Sequence, residues 1–110
     1  MLNRISSTFL IALALLLPAW AYDVTGTWIS DSGSTIVIPR SRSSFTVLVT
    51  HQDGAQFRCA AAWVPGRVGT RFHFVNEYNH ELFVSVDQND PRHLRLNEGS
   101  KQWYWRRVGH

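Results

Sequence analysis

The chain has 110 residues, a formal net charge of +3 and 45% hydrophobic residues, which suits one domain with one modest core. Its 11 Lys and Arg stand against 8 Asp and Glu without clustering, so nothing points to nucleic acid, whose binders carry basic patches. Cys59 is the single cysteine, which excludes an intrachain disulfide and leaves stability to packing.

Residues 1–21 read as a secretory signal. Arg4 supplies the early cation, 9–17 is an unbroken apolar run, Pro18 ends it, and Ala19-Trp20-Ala21 has the small-x-small form of a cleavage site. The apolar run is well short of the roughly 20 residues that span a bilayer. The expected product is therefore residues 22–110, exported to the periplasm or secreted, with no membrane span after cleavage. Within it Lys101 is the only Lys. The other basic side chains are Arg, whose planar fork of donors suits carboxylate, phosphate or sulfate.

From residue 22 onward, turn chemistry recurs at an almost even pace. It lies at 31–33, 39–44, 52–54, 65–66, 77–80, 89–91 and 98–100, all rich in Gly, Pro, Asn, Asp or Ser. The intervening runs are rich in Val, Ile, Thr, Phe and Trp. They predict strands near 24–30, 34–39, 44–51, 55–63, 69–76, 81–87, 92–97 and 101–108, with little or no helix. Short strands at this spacing make a sandwich or a barrel.

Period two then sorts inside from outside. Phe45, Val47 and Val49 oppose Thr46 and Thr50; Phe72 and Phe74 oppose Arg71 and His73; Leu94 and Leu96 oppose His93 and Arg95. One dry face and one wet face is the habit of antiparallel sheets. Connections this short allow only hairpins, so the expected fold is a single eight-stranded up-and-down antiparallel barrel. Cys59 falls on the same face as Phe57, Ala61 and Trp63, where a buried, inert thiol is expected.

Thr25-Gly26-Thr27-Trp28 followed by Gly33-Ser34-Thr35-Ile36, together with the run from Trp103 to Val108-Gly109-His110, resembles the first hairpin and last strand of the avidin and streptavidin family. A Gly-x-Trp on the first strand and an Arg on the last is similar to the wider calycin pattern. That resemblance implies that Trp28 closes one end of the barrel beneath a last-strand cation, Arg106 or Arg107, an arrangement that gains cation–π attraction. It also implies that Ser30 and Ser34 hydrogen-bond a ligand, that Trp103 forms an aromatic wall, and that Trp63 supplies another.

Catalytic and metal chemistry leave no pattern. His51, His73, His80, His93 and His110 show no metal-ligand spacing, and there is no Gly-x-Ser-x-Gly or helix-start cysteine. The carboxylates sit mostly at turns, where they commonly cap backbone groups. No cofactor and no enzymatic activity are expected. Tyr104 falls on the face opposite Trp103 and Trp105, beside Arg106, and Tyr with Arg is the composition of binding hot spots. The inward residues are large and apolar, so a rim or outer surface is favoured over a deep cavity. The expected function is non-enzymatic binding of a small molecule; the alternative is an inhibitor or immunity protein directed at a secreted protein, docking through 39–44 or 65–69.

Overall fold

The computed structural model describes residues 23–87 and 89–108; the expected leader, 1–21, and the terminal Gly109-His110 lie outside the described residues. Eight strands follow in chain order: β1 (Gly26–Ile29), β2 (Thr35–Ile38), β3 (Phe45–Thr50), β4 (Gln56–Trp63), β5 (Arg71–Val75), β6 (Glu81–Asp87), β7 (Asp90–Glu98) and β8 (Lys101–Arg107). Each pairs antiparallel with the next, and β8 returns to β1 to close the barrel. The all-β, eight-stranded, up-and-down architecture is thus the one that alternation and turn spacing imply. Among the described residues no helix is long and apolar enough to cross a membrane.

Every strand lies within two residues of its expected bounds, and one shift changes a turn. β7 begins at Asp90, so two of the three residues expected to turn at 89–91 belong to the strand, and only 88–89 connect β6 to β7. The ladder shifts register between Val86 and Asp87, where Asp87 faces Asp90. Pro91 follows that irregularity at the very start of its strand, a place where a missing N–H is tolerated.

Register places the inward set in contiguous rows. Trp28 faces Ile36, Ile36 faces Val49, and Val49 faces Phe57. Across the barrel, Trp63 faces Phe72, Phe72 faces Val84, and Phe74 faces Leu82. A one-residue slip in any strand would turn its whole apolar set to water, so burial fixes the pairing. The resulting core contains Trp28, Phe72, Val84, Leu94 and Leu96, all fully buried.

The two ends of the cylinder are unlike. The base collects Val24 with Trp28, Ile38, Trp63 and Phe72, all buried, and the half-buried Phe45 packs on them. Phe45 lies 4.7 Å from Trp63 and 5.2 Å from Phe72, centroid to centroid, within the range of favourable ring pairs. The segment before β1 crosses this end, because Val24 N–H donates to Gly69 O at 2.9 Å. Aromatic bulk and a strap of backbone thus plug the base.

The strap also explains Trp28. Its indole Nε1–H donates to Val24 O at 2.9 Å, satisfying the one polar atom of a wholly buried side chain. The Arg107 guanidinium stacks over the ring at 4.2 Å and donates through Nη2 to Asp23 O at 2.8 Å. Burial pulls the Arg107 pKa down, with the Asp23 carboxylate opposing that shift. Of the two cations allowed by the sequence, Arg107 is therefore the partner of Trp28; Arg106 points outward beside Tyr104 and His93.

Candidate functional site

At the other end, the connections 30–34, 51–55, 76–80 and 99–100 surround an open cavity of about 580 Å³. Strand alternation builds it. The inward positions of β3 continue past the strand to His51, those of β7 to Glu98, and those of β8 back to Lys101, so all three polar side chains line the mouth. Below them lie Ile36, Val49, Phe74, Leu82 and Trp105 as an apolar floor, with Trp103 as a wall. Self-filling, expected for the whole interior, holds up to a floor on which Ile36, Phe74 and Leu82 are buried; above it the mouth is an open cup.

The β1–β2 connection is braced by its own hydroxyls. Ser30 Oγ accepts from Ser34 N–H at 3.0 Å and lies 2.9 Å from Ser32 Oγ. Gly33 turns the chain with φ +85°, and a Cβ there would meet the Gln52 side chain at 2.3–2.8 Å. Gly33→Ala therefore carries a left-handed backbone penalty and must displace the exposed Gln52 side chain. A loss of about 1–3 kcal/mol is expected, readable as a fall in the urea midpoint at unchanged slope.

The β5–β6 connection does more than turn the chain. Asn76 Oδ1 accepts from Tyr78 N–H at 3.0 Å and from His80 N–H at 2.8 Å, and Asn79 takes the left-handed φ of 64° that Asn tolerates. β4 pairs with β5 only at Ala61, Ala62 and Trp63, which leaves an interval near the mouth. Into it Glu77 reaches inward, and its carboxylate receives His51 Nε2 at 2.5 Å. Only a tenth of the Glu77 side chain is exposed. Across the mouth a second pair forms, with His80 Nδ1 3.3 Å from Glu98.

Below this rim Cys59 is buried, and both burial and the Glu77 charge push its thiol pKa up. Since the thiolate is the reactive form, the native protein should resist alkylation by iodoacetamide at pH 8, and label fully once urea unfolds it. Fast native labelling would contradict that placement. Linkage adds a sign: the unfolded thiol ionises at lower pH than the folded one, so Cys59 contributes stability at neutral pH that fades above the unfolded pKa.

The site residues expected from sequence divide between three places. Ser30, Ser34 and Trp103 line the mouth. Trp63 does not: it sits in the base, where its Nε1–H donates to Ser41 O at 2.9 Å and pins the β2–β3 connection. Tyr104 stands on the outer wall, 40% exposed, beside Arg106 in a shallow groove with Asp31, Asp87, Asp90 and His93. Sequence reasoning missed His51, Glu77, His80, Glu98 and Lys101. For His51, Glu98 and Lys101 a signal existed, since each continues an inward period past a strand end. Turn carboxylates do cap backbone at Asp23, Asp53, Asp87 and Asp90, but Glu77 does not.

The mouth thus joins an aromatic wall and apolar floor to a ring of donors and acceptors. It can hold the flat face of a small ring while hydrogen-bonding its edge. Among the described residues no group of three or more His, Cys, Asp or Glu gathers as a metal site. Comparison with known families, curated proteins and solved structures found no match.

Proposed function

We propose that the chain is a non-enzymatic, exported binding protein that holds a small, ring-containing, polar-edged molecule in the mouth of the barrel. The observation that carries this reading is the open cup at the mouth, about 580 Å³, over a filled interior. That volume lies within the range of ordinary ligand sites, which are mostly apolar with a few convergent polar groups. Trp103 offers the stacking face, and Ser34, His51, Asn76 and Lys101 offer edge contacts. The paired His51–Glu77 and His80–Glu98 side chains hold one another in place, so less ordering entropy is lost on binding.

Biotin is the first compound to test, because of the resemblance of the first hairpin and last strand to the avidin family. A thermal-shift series with biotin, monosaccharides and fatty acids, followed by tryptophan-fluorescence titration of any hit, tests the reading. A binder should raise the melting temperature and lose about 2 kcal/mol of affinity, or some thirtyfold, in Trp103→Ala. A hit that binds this variant unchanged, or no hit across the series, removes the proposal.

The runner-up, an inhibitor or immunity role toward a secreted enzyme, draws on Val68. This residue is 52% exposed within the β4–β5 connection, one of the two loops the sequence marks for docking. That reading expects a stoichiometric protein partner and no small-molecule shift.

A further inference from the structure

The outside of the barrel has two different halves. Across β1–β4 the outward register runs Thr27, Val37, Leu48, Arg58, with one ionisable group. Across β5–β8 it runs Arg71, Ser85, Arg95, Tyr104, and the adjacent row runs His73, Phe83, Asn97, Gln102. Three large apolar side chains are exposed on this second half: Val75 at 37%, Phe83 at 36% and Tyr104 at 40%. Cations and aromatic rings therefore share one wall.

The chemistry of that wall is directional. Arg71 lies over the Phe83 ring at 5.9 Å, and His73 approaches the same ring at 5.7 Å. Gln102 Nε2 donates to Tyr104 Oη at 3.0 Å, fixing the phenol. The ion pairs among the described residues fall on histidines, and none falls on Arg71 or Arg95; Arg95 Nε is enclosed without an acceptor. Three of the carboxylates nearby are already engaged, while Asp31 lies at the Tyr104 end of the wall. Glu81 lies 3.8 Å from His73, Asp90 holds His93 at 2.8 Å, and Asp87 caps the Asn89 N–H. Among the described residues, Arg71 and Arg95 thus stand at outward positions with no anion of their own.

We propose that the outer face of β5–β8 docks an extended acidic polypeptide segment, with Arg71 and Arg95 taking its carboxylates and Phe83 and Tyr104 its apolar side chains. Spacing agrees with such an occupant. Arg71 and Arg95 stand on strands two apart, about 10 Å between backbones at the usual strand separation, which is the rise of three residues of extended chain. Arg takes carboxylates bidentately, and Arg, Tyr and Phe are the residues enriched where proteins meet. A free phosphate or sulfate would use the guanidiniums and leave the rings idle. A single-stranded nucleic acid needs an open ring for its bases, whereas Phe83 is already flanked by Arg71 and His73.

Fluorescence anisotropy of a labelled decaglutamate peptide, against the whole chain at low and moderate salt, tests the proposal. Saturable binding that weakens with salt is expected. It should fall at least tenfold in the Arg71→Gln, Arg95→Gln double variant and stay unchanged in Arg58→Gln on the opposite half. Phe83→Ser should weaken it severalfold. The melting temperature of each variant reports whether the barrel is intact. Equal losses in Arg58→Gln and in the double variant would mean diffuse charge attraction and overturn the assignment, as would unchanged binding in the double variant. Tighter binding of a heparin fragment or of oligothymidine than of decaglutamate would overturn it too, in favour of a glycan or nucleic-acid surface. Trp103→Ala is expected to leave the peptide titration untouched, which separates this surface from the mouth.

Discussion

Trp28→Ala is expected to cost about 3–5 kcal/mol of unfolding free energy, the usual range for truncating a buried Trp. For a domain of this size each kcal/mol moves the melting temperature by about 4–8 °C, so a fall of at least about 12 °C is expected by calorimetry. The reason is specific to the base. The indole is fully buried, bonds Val24 O and carries the Arg107 guanidinium on its face. Removing it opens a void and strips a partner from the cation above. Trp28→Phe keeps most of the volume and loses the N–H donor, so it should cost clearly less. Equal costs for the two would show that the hydrogen bond to the strap, not the packing, matters at this position.

Arg107→Ala is expected to be the next most damaging single change, at about 2–4 kcal/mol. Two contributions add. A hydrogen bond from a charged donor is worth about 1.5–3 kcal/mol, and here Arg107 serves Asp23 O at 2.8 Å and Thr25 O at 3.4 Å. Stacking on an indole adds about 0.5–2 kcal/mol, and here the guanidinium lies 4.2 Å from the ring. Because Arg107 and Trp28 touch, the double variant should fall short of the sum of the two losses. Strict additivity in urea melts would mean that the stack contributes nothing. Arg106→Ala, on the outer wall, is expected to change stability by less than about 0.5 kcal/mol.

The fold was legible because the inward positions follow one simple rule. Phe45-Val47-Val49, Leu82-Val84 and Leu94-Leu96 recur with period two, even where Leu48 and Phe83 place an apolar side chain outside, and their turns are short enough to forbid any crossover. Period two already sets Arg107 on the face of Trp103 and Trp105 and Arg106 on that of Tyr104, but which residue of the last strand meets Trp28 depends on the register in which that strand meets the first. That register is set only on closure, when Trp28 comes to face Arg107. Trp63 shows a different gap. Its inward direction follows from alternation, but its end of the barrel follows from counting strands: β4 runs from mouth to base, so its last residue lies in the base.

Glu77 shows the true limit. Nothing local to its turn distinguishes it from a capping carboxylate such as Asp53, which accepts from Ala55 N–H. Its inward reach depends on β4 and β5 parting above Ala61 and on His51 arriving from a third strand. Both are properties of the assembled sheet. Glu98 and Lys101, by contrast, only required the inward period to be followed beyond the strands' apolar stretches.

Among the described residues β1 and β8 meet through two facing pairs, Trp28 with Arg107 and Ile29 with Arg106, continued by the Val108 N–H bond to Thr27 O. The cylinder is therefore zipped, among the described residues, by its shortest ladder, the one between β1 and β8. Until β8 pairs with β1, the apolar lining stays a curled, unsealed sheet. Once sealed, the same short seam should be where amide protons trade fastest with solvent, the latch through which the molecule comes undone.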